Sequence, residues 1–319
     1  MHPFTANRRD AVSALGELGL IAAIRRWLGT ASPPPPRGIG DDCAVLPPSR
    51  FPQLVTVDPV IYGEHFDDAI SAGAAGEKLF KRNLSDIAAM GGRPRAAVVS
   101  LALDDTVKQA WLEGFYRGLA RIARRHRVPV VGGDIARHRG GLVASLTLIG
   151  EAAGPRVLSR RGAKAGDRLY VTGRLGGSLL GHHVRFTPRL AEGAWLAARD
   201  EVRALMDVSD GLAKDVHALE PAGCRAVILA DALPVSAAAR VRARTSGRTP
   251  VEHALEDGED YELLFALSGR ADAARFERDW RRRFATRLTC LGRFAPNHRP
   301  LPPGAIDFRR YHGFEHLRA

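Results

Sequence analysis

The chain has 319 residues, 45% of them apolar and 26% charged, and a formal net charge of +12. That length exceeds what one small core organises, so two domains are expected. No apolar run approaches a membrane span, the first nine residues lack the apolar segment of a signal peptide, and the three cysteines (Cys43, Cys224, Cys290) form no CxxC pair. A cytoplasmic protein without a zinc site or disulfide framework is therefore expected. The arginines are spread, and their densest runs, Arg240–Arg248 and Arg281–Arg283, fall in segments that read as surface helices. No aromatic pattern of an RNA-binding sheet accompanies them, so no nucleic-acid partner is expected.

In chain order, Leu15, Leu18, Ile21, Ala22 and Trp27 give an apolar stripe that predicts a helix over Ala11–Leu28. Ser32 and Pro33–Pro36 read as a short stiff linker. Cys43–Leu46 reads as a strand after the glycine turn Gly38-Ile-Gly40, with Cys43 a small core residue. Leu54–Asp58 reads as a second strand ending in a carboxylate.

A helix is predicted from about Ala72, stopped by Gly91-Gly92 and Pro94. Its spacing places Leu79, Asn83, Asp86 and Met90 on one face, an expensive position for a carboxylate unless something positive compensates it. Ala96–Leu103 reads as a buried strand. Asp105 reads as the cap of a helix with Val107, Trp111, Phe115, Leu119 and Ile122 at helical spacing. Val128–Val131 reads as a strand ending in Gly132-Gly-Asp134, and Leu142–Gly150 as another strand. This order fits an α/β domain over 1–154.

A second domain, 155–319, opens with the strand Gly166–Gly173 and a helix from Ser178. Met206–Asp215 sets carboxylates just before or within a helix start. Arg225–Ala230, Leu263–Leu267 and Leu288–Phe294 read as strands, and Ala271–Phe284 as an amphipathic helix.

Aspartates recur at strand ends and glycine turns: Asp41 and Asp42, Asp58, Asp134, Asp207 and Asp210. Strand ends are where α/β proteins place chemistry. Taken singly, each also reads as a cap or turn residue. That account suits Asp105 and Asp210 better than Asp134 or Asp42, whose glycines also let a phosphate approach the backbone. Two like charges about 4 Å apart repel by about 4 kcal/mol at an effective dielectric of about 20, so a gathering of these acids around Asp86 requires divalent cations. An all-oxygen donor set without His or Cys indicates Mg²⁺ or Mn²⁺ rather than Zn²⁺. GxxxxGK[ST], GxGxxG, the HRD and DFG strings and GxSxG are all absent, which excludes the common nucleotide and hydrolase loops.

Several short strings, in order and at family-like spacing, resemble the thiamine-monophosphate kinases, of the superfamily that includes aminoimidazole ribonucleotide synthetase and selenophosphate synthetase. They are Gly16-Glu-Leu-Gly-Leu-Ile21, Gly38-Ile-Gly-Asp-Asp42, Val57-Asp58 with Gly63-Glu-His-Phe66, Asn83-Leu-Ser-Asp-Ile-Ala-Ala-Met-Gly91, Val131-Gly-Gly-Asp134, Arg160-Arg-Gly-Ala-Lys-Ala-Gly-Asp167, Asp207-Val-Ser-Asp-Gly211 and Gly258-Glu-Asp-Tyr-Glu262. The resemblance implies an α/β (α+β) chain of two domains: an N-terminal mixed-sheet domain that binds ATP and Mg²⁺ and pairs in a homodimer, and a C-terminal α/β sandwich.

It also implies phosphorylation of thiamine monophosphate to thiamine diphosphate with ATP as co-substrate and several Mg²⁺ ions. By the same resemblance, Asp41, Thr56, Asp58, Asp86, Asp134, Asp207 and Asp210 are the expected metal-site residues. Gly133, Asp134, Arg160, Ser209 and Tyr116 are expected at the nucleotide, and His65, Glu259 and Phe314 at the thiamine moiety. Asp86, Asp134 and Arg160 are the expected catalytic residues.

Three departures from the family pattern stand out. Val57 and Pro59 occupy hydroxyl positions, Ile135-Ala136 follows Asp134 in place of two threonines, and Arg82 replaces a small residue before Asn83. The rival readings are another ATP-dependent synthetase of the superfamily and a non-catalytic nucleotide-binding protein. A carbamoyl dehydratase of hydrogenase maturation is expected to end in cysteine, whereas this sequence ends in Ala319.

Overall fold

The computed structural model describes residues 2–40 and 43–315, so Asp41 lies outside the described residues. The chain forms two compact units, one taking in the chain up to Ile87 with Arg93–Ala152, the other Ala88–Gly92 with the chain from Ala153 onward.

In the first unit, helix α1 (Gly16–Leu28) follows a 3-10 turn at Val12–Ala14. The single helix expected from Ala11 is interrupted at Gly16, whose φ of +66° is left-handed. Cys43–Leu46 forms no strand: Val45 N–H donates to the Pro36 carbonyl at 2.7 Å, and Cys43 is exposed rather than a core residue. Extended chain without a neighbour in register has no ladder to join.

Strand β1 (Gln53–Ile61), helix α2 (Ala72–Ala89), strand β2 (Gly92–Leu103), helix α3 (Gln109–His126), strand β3 (Val130–Arg137) and strand β4 (Leu142–Ala152) follow. The four strands make one mixed sheet in the order β1-β4-β2-β3, antiparallel between β1 and β4 and parallel between β2 and β3. Asp58 lies inside β1, opposite Leu146, not at the strand's end. Pro59 is tolerated there because β1 is an edge strand. Strand β3 runs on through Gly132-Gly133-Asp134 instead of stopping before it, with Gly133 opposite Val99 and Asp134 opposite Ser100. A Cβ at Gly133 would stand 2.1 Å from the Val99 carbonyl oxygen, so glycine is what lets the ladder continue. Asp105 does not cap α3, which starts at Gln109; Asp104 instead organises the preceding turn by accepting from Thr106 N–H at 2.9 Å and Gly140 N–H at 2.7 Å.

Of the faces read from helical spacing, that of α3 is buried at Trp111, Phe115, Leu119 and Ile122, and that of α2 at Leu79, Asn83, Ile87 and Ala88, with Phe80 and Leu84 beside it; the α1 stripe is not, since Leu18 is 82% exposed and the helix buries Leu20, Ala23, Ile24 and Leu28 instead. The helices cross on glycine. A Cβ at Gly76 would meet the Phe115 carbonyl oxygen at 2.1 Å, and one at Gly118 the Gly73 carbonyl oxygen at 2.0 Å. On β1 the side chains alternate, so Thr56 and Asp58 share the face of buried Leu146 and Leu148, while Val55 (68% exposed) and Val57 (61%) stand on the opposite, open face.

The second unit runs through strand β5 (Arg168–Thr172), helices α4 (His182–Arg185) and α5 (Leu190–Ala197), strand β6 (Val202–Asp207), helix α6 (Leu212–Asp215), strand β7 (Cys224–Ile228), helices α7 (Ala237–Ser246) and α8 (Pro250–Glu256), strand β8 (Leu263–Leu267), helix α9 (Ala273–Arg283) and strand β9 (Leu288–Pro296). The helix expected from Ser178 is only a 3-10 turn, Ser178–Leu180, closed by Gly181 in a left-handed conformation. The strands form a five-stranded antiparallel sheet in the order β6-β8-β5-β9-β7. Its two faces feed different cores: Leu169, Val171, Leu264 and Ala266 pack with Leu212 and Val216, and Tyr170, Leu263 and Phe265 with Phe276 and Trp280. This is a sheet covered on both sides, as expected for an α/β sandwich.

Candidate functional site

In the first unit, α2 and β1 match each other step for step. The Thr56 hydroxyl donates to an Asp86 carboxylate oxygen at 2.5 Å. Arg82, one turn earlier on α2, donates to the Pro59 carbonyl at 2.7 Å and lies 3.5 Å from Asp58 Oδ1. One helical turn rises about 5.4 Å and two strand residues about 6.8 Å, so residues 82 and 86 of an antiparallel neighbour fall opposite 58 and 56. Asn83, fully buried between them in sequence, donates from Nδ2 to the Leu79 carbonyl at 2.9 Å. The side chains of Val57 and Pro59 leave the sheet on the other face. Their missing hydroxyls therefore concern the open face and not the Asp86 side.

Lys78, also buried in α2, donates to the His65 carbonyl at 2.8 Å, and His65 Nδ1 accepts the Ile61 N–H at 3.3 Å. These bonds fix the turn that follows β1. Gly133, Asp134 and Tyr116 line one cavity of about 490 Å³, walled by Leu18, Ile21 and Ile24 of α1. It joins an apolar slot to a rim of glycine backbone and the Asp134 side chain. Burial pushes the Tyr116 phenol above its ordinary value, so it stays neutral.

In the second unit, Asp207 ends β6 as a buried carboxylate, and the turn Val208–Gly211 leads into α6. Asp215 holds that turn by accepting the N–H groups of Ser209 (2.9 Å) and Asp210 (3.0 Å). Burial first, and then the charges of Asp207 and Asp210, push Asp215 up to about 7. Asp210 pairs with Lys214 at 2.6 Å. Lys214 also donates to the Phe314 carbonyl at 2.8 Å, and Phe314 N–H donates to the Asp210 carbonyl at 2.8 Å.

Glu259 N–H donates to the Ser209 carbonyl at 2.7 Å. Both Glu259 (φ +52°) and Tyr261 (φ +51°) are left-handed, a strained conformation for side chains of this size. Ser209, Asp210, Glu259 and Phe314 are thus drawn together. Arg160 is exposed in the loop before β5, and its neighbours Ser159 and Arg161 form their own turn.

Among the described residues, no three His, Cys, Asp or Glu side chains gather closely enough to form a metal-holding group. Lys214, Asp215 and Asp260 were not singled out from the sequence. For Asp215 a signal existed, since an aspartate five residues after Asp210 in a one-turn helix can reach back to that turn's amides.

Residues 40–152 match the family model for AIR synthase related protein, N-terminal domain. A thiamine-monophosphate kinase from Rhodopirellula baltica is 40% identical over 253 residues, 76% of this chain and 79% of the relative. A thiamine-monophosphate kinase from Escherichia coli strain K12 is 34% identical over 277 residues, 80% of this chain and 83% of the relative. Among solved structures, AaThiL complexed with AMPPCP and TMP superposes with a TM-score of 0.69 at 30% identity, covering 92% of this chain and 97% of that one. The hydrogenase maturation protein HypE in complex with ATP, at 19% identity and a TM-score of 0.69, shares the fold.

Proposed function

The chain belongs to the thiamine-monophosphate kinase family, and from that premise we propose that it transfers the γ-phosphoryl group of ATP to thiamine monophosphate, giving thiamine diphosphate. The observation that carries the reading is likeness along 92% of the chain to a protein solved with both AMPPCP and TMP.

The acceptor is a phosphate oxygen, already largely ionised at neutral pH because its second pKa is about 6. No protein base is required, and transfer proceeds directly, in line, without a phosphoenzyme. The obstacle is repulsion between two anionic phosphates. Bound Mg²⁺ supplies the neutralising charge. The donor chemistry suits such a hard ion, since Thr56, Asp58, Asp86 and Asp134 in the first unit and Asp207 and Asp210 in the second offer oxygen only, and we assign these residues to the metal. Asp41 joins the set by family likeness.

In the first unit, Gly133, Asp134 and Tyr116 take the nucleotide, and His65 the thiamine moiety. In the second, Ser209 and Arg160 are assigned to ATP, and Glu259 and Phe314 to thiamine. Asp86, Asp134 and Arg160 do the catalytic work of orienting and neutralising. The three cysteines are free thiols, which suits a reducing compartment, and we place the protein in the cytoplasm. The open sheet face carrying exposed Val55 and Val57 supports a homodimer formed through the first domains. We take the domains as 1–154 and 155–319, the first holding nucleotide, metal and the dimer surface.

The test is conversion of thiamine monophosphate to thiamine diphosphate by the purified chain with ATP and Mg²⁺. Asp86→Asn is expected to lower kcat/KM by at least about 100-fold with its melting temperature retained. Unchanged turnover removes Asp86 from the site. Label from ATP retained on the protein in the absence of acceptor contradicts direct transfer.

A further inference from the structure

Helices α7 and α8 of the second unit meet at a short turn, and that turn brings three side chains into line. The Ser246 hydroxyl, on the last residue of α7, lies 2.7 Å from His253 Nε2. His253 Nδ1 lies 2.9 Å from Asp257 Oδ1 and 3.1 Å from Oδ2. The histidine and the aspartate side chain are buried, whereas Ser246 is exposed. Residues 253 and 257 stand one helical turn apart, so α8 itself sets the second contact.

An ionised carboxylate only accepts, so Nδ1 carries the ring proton and Nε2 is the acceptor facing the hydroxyl. Ser246 Oγ accepts the Arg248 N–H at 3.2 Å, which leaves its own proton for Nε2. Asp257 is anchored from beyond α8: Oδ2 accepts the Gly177 N–H at 2.8 Å, and Arg242 and Arg248 stand 3.3 and 3.9 Å from the carboxylate. Those guanidiniums weaken what Asp257 lends to a protonated ring, so its main service is to hold the ring's tautomer and direction. Nucleophile, base and orienting acid stand in the order of an acyl-transfer relay. Phosphoryl transfer to thiamine monophosphate uses none of the three.

We infer that Ser246 is an activated nucleophile, with His253 as its general base and Asp257 as a positioning residue, that takes acyl groups from small activated esters. The Oγ–acyl bond forms and the ester C–O bond breaks. The departing oxygen keeps the bonding pair, and the hydroxyl proton passes to Nε2 and on to that oxygen or to water. Ser246 ends a helix, where carbonyls rather than N–H groups point outward, so a developing oxyanion gains little there. The reaction is therefore confined to esters with good leaving groups. Once formed, the acyl group stands between water and the buried Nε2, so the adduct persists.

The experiment treats the full chain with p-nitrophenyl acetate and follows acetylation of each residue by peptide mass mapping, which separates Ser246 from the exposed thiols Cys43 and Cys290. Ser246 is expected to acetylate at least about 100-fold faster than the exposed Ser13, the lower end of what a positioned base contributes. His253→Gln, with its melting temperature retained, is expected to remove that advantage. Asp257→Asn is a second variant with a sharper rationale. Its amide oxygen stays on the Gly177 N–H, its NH₂ then faces Nδ1, the tautomer reverses and Nε2 becomes a donor, so the advantage of Ser246 is again lost. Equal rates at Ser246 and Ser13 in the wild type overturn the inference without any variant having to fold. An undiminished rate at Ser246 in folded His253→Gln or Asp257→Asn overturns it as well.

Discussion

Asp260 sits between two left-handed residues, Glu259 and Tyr261, and is buried, with Oδ1 accepting the Gly176 N–H at 2.8 Å and, among the described residues, no hydrogen-bond partner for Oδ2. Burial, with the nearby charges of Glu262, Asp257 and Asp215, raises its carboxyl well above the ordinary range. The folded state therefore holds this proton more tightly than the unfolded chain, whose aspartates titrate near about 4. Its contribution to stability is complete below that value and is lost as pH rises through the folded value. Asp260→Asn keeps an oxygen for Gly176 and removes the titration. Urea midpoints are expected to show the variant gaining on the wild type as pH rises from about 4; a constant difference between the two would mean that Asp260 does not titrate across this range. The string Gly258–Glu262 drew notice in the sequence through Glu259. That its neighbour points inward was not legible, because two successive reversals of backbone hand break the alternation that extended chain leads one to expect.

Helices were legible where the apolar period was long and the stops were strong. The span of α2 follows from Leu79, Ile87 and Met90 with Gly91, Gly92 and Pro94 beyond them. Its crossing with α3 was not read, although Gly73, Gly76, Gly114 and Gly118 carry it. Gly118→Ala would force a methyl to 2.0 Å from the Gly73 carbonyl oxygen, and overpacking of this kind costs about 1–3 kcal/mol. A chemical-denaturation shift well below that would show that the crossing has slack. Helix α8 was missed outright, yet its start is written in Thr249-Pro250-Val-Glu252, a capping box with proline at the first position, and the structure forms both of its hydrogen bonds. Short helices of this sort give too little period to notice, so the cap is the signal to use. Asp105 shows the opposite error: a good capping residue in sequence, displaced by Asp104 because the turn before α3 is longer than the pattern suggested.

At the scale of the whole molecule, the open face of the first sheet is the feature that concerns assembly. Val55 and Val57 stand there, and Val55→Asp with Val57→Asp is expected to convert a homodimer into a monomer in light scattering. A variant with the parental mass would rule this face out as the interface. The sequence by itself determined the order of β1–β4 and α2–α3 in the first unit, the amphipathic character of α3 and α9, and the strings that carry the family likeness, because these depend on residues close together in the chain. It also marked Asp86 as an acid in an apolar setting. Only the tertiary structure decided what each acid meets. Thr56 reaches Asp86 across 30 residues and Arg82 reaches Asp58 across 24, and both contacts exist because α2 packs along β1 with a turn of helix matching two residues of strand. Charge partners are a property of packing, and no spacing rule within either segment contains them.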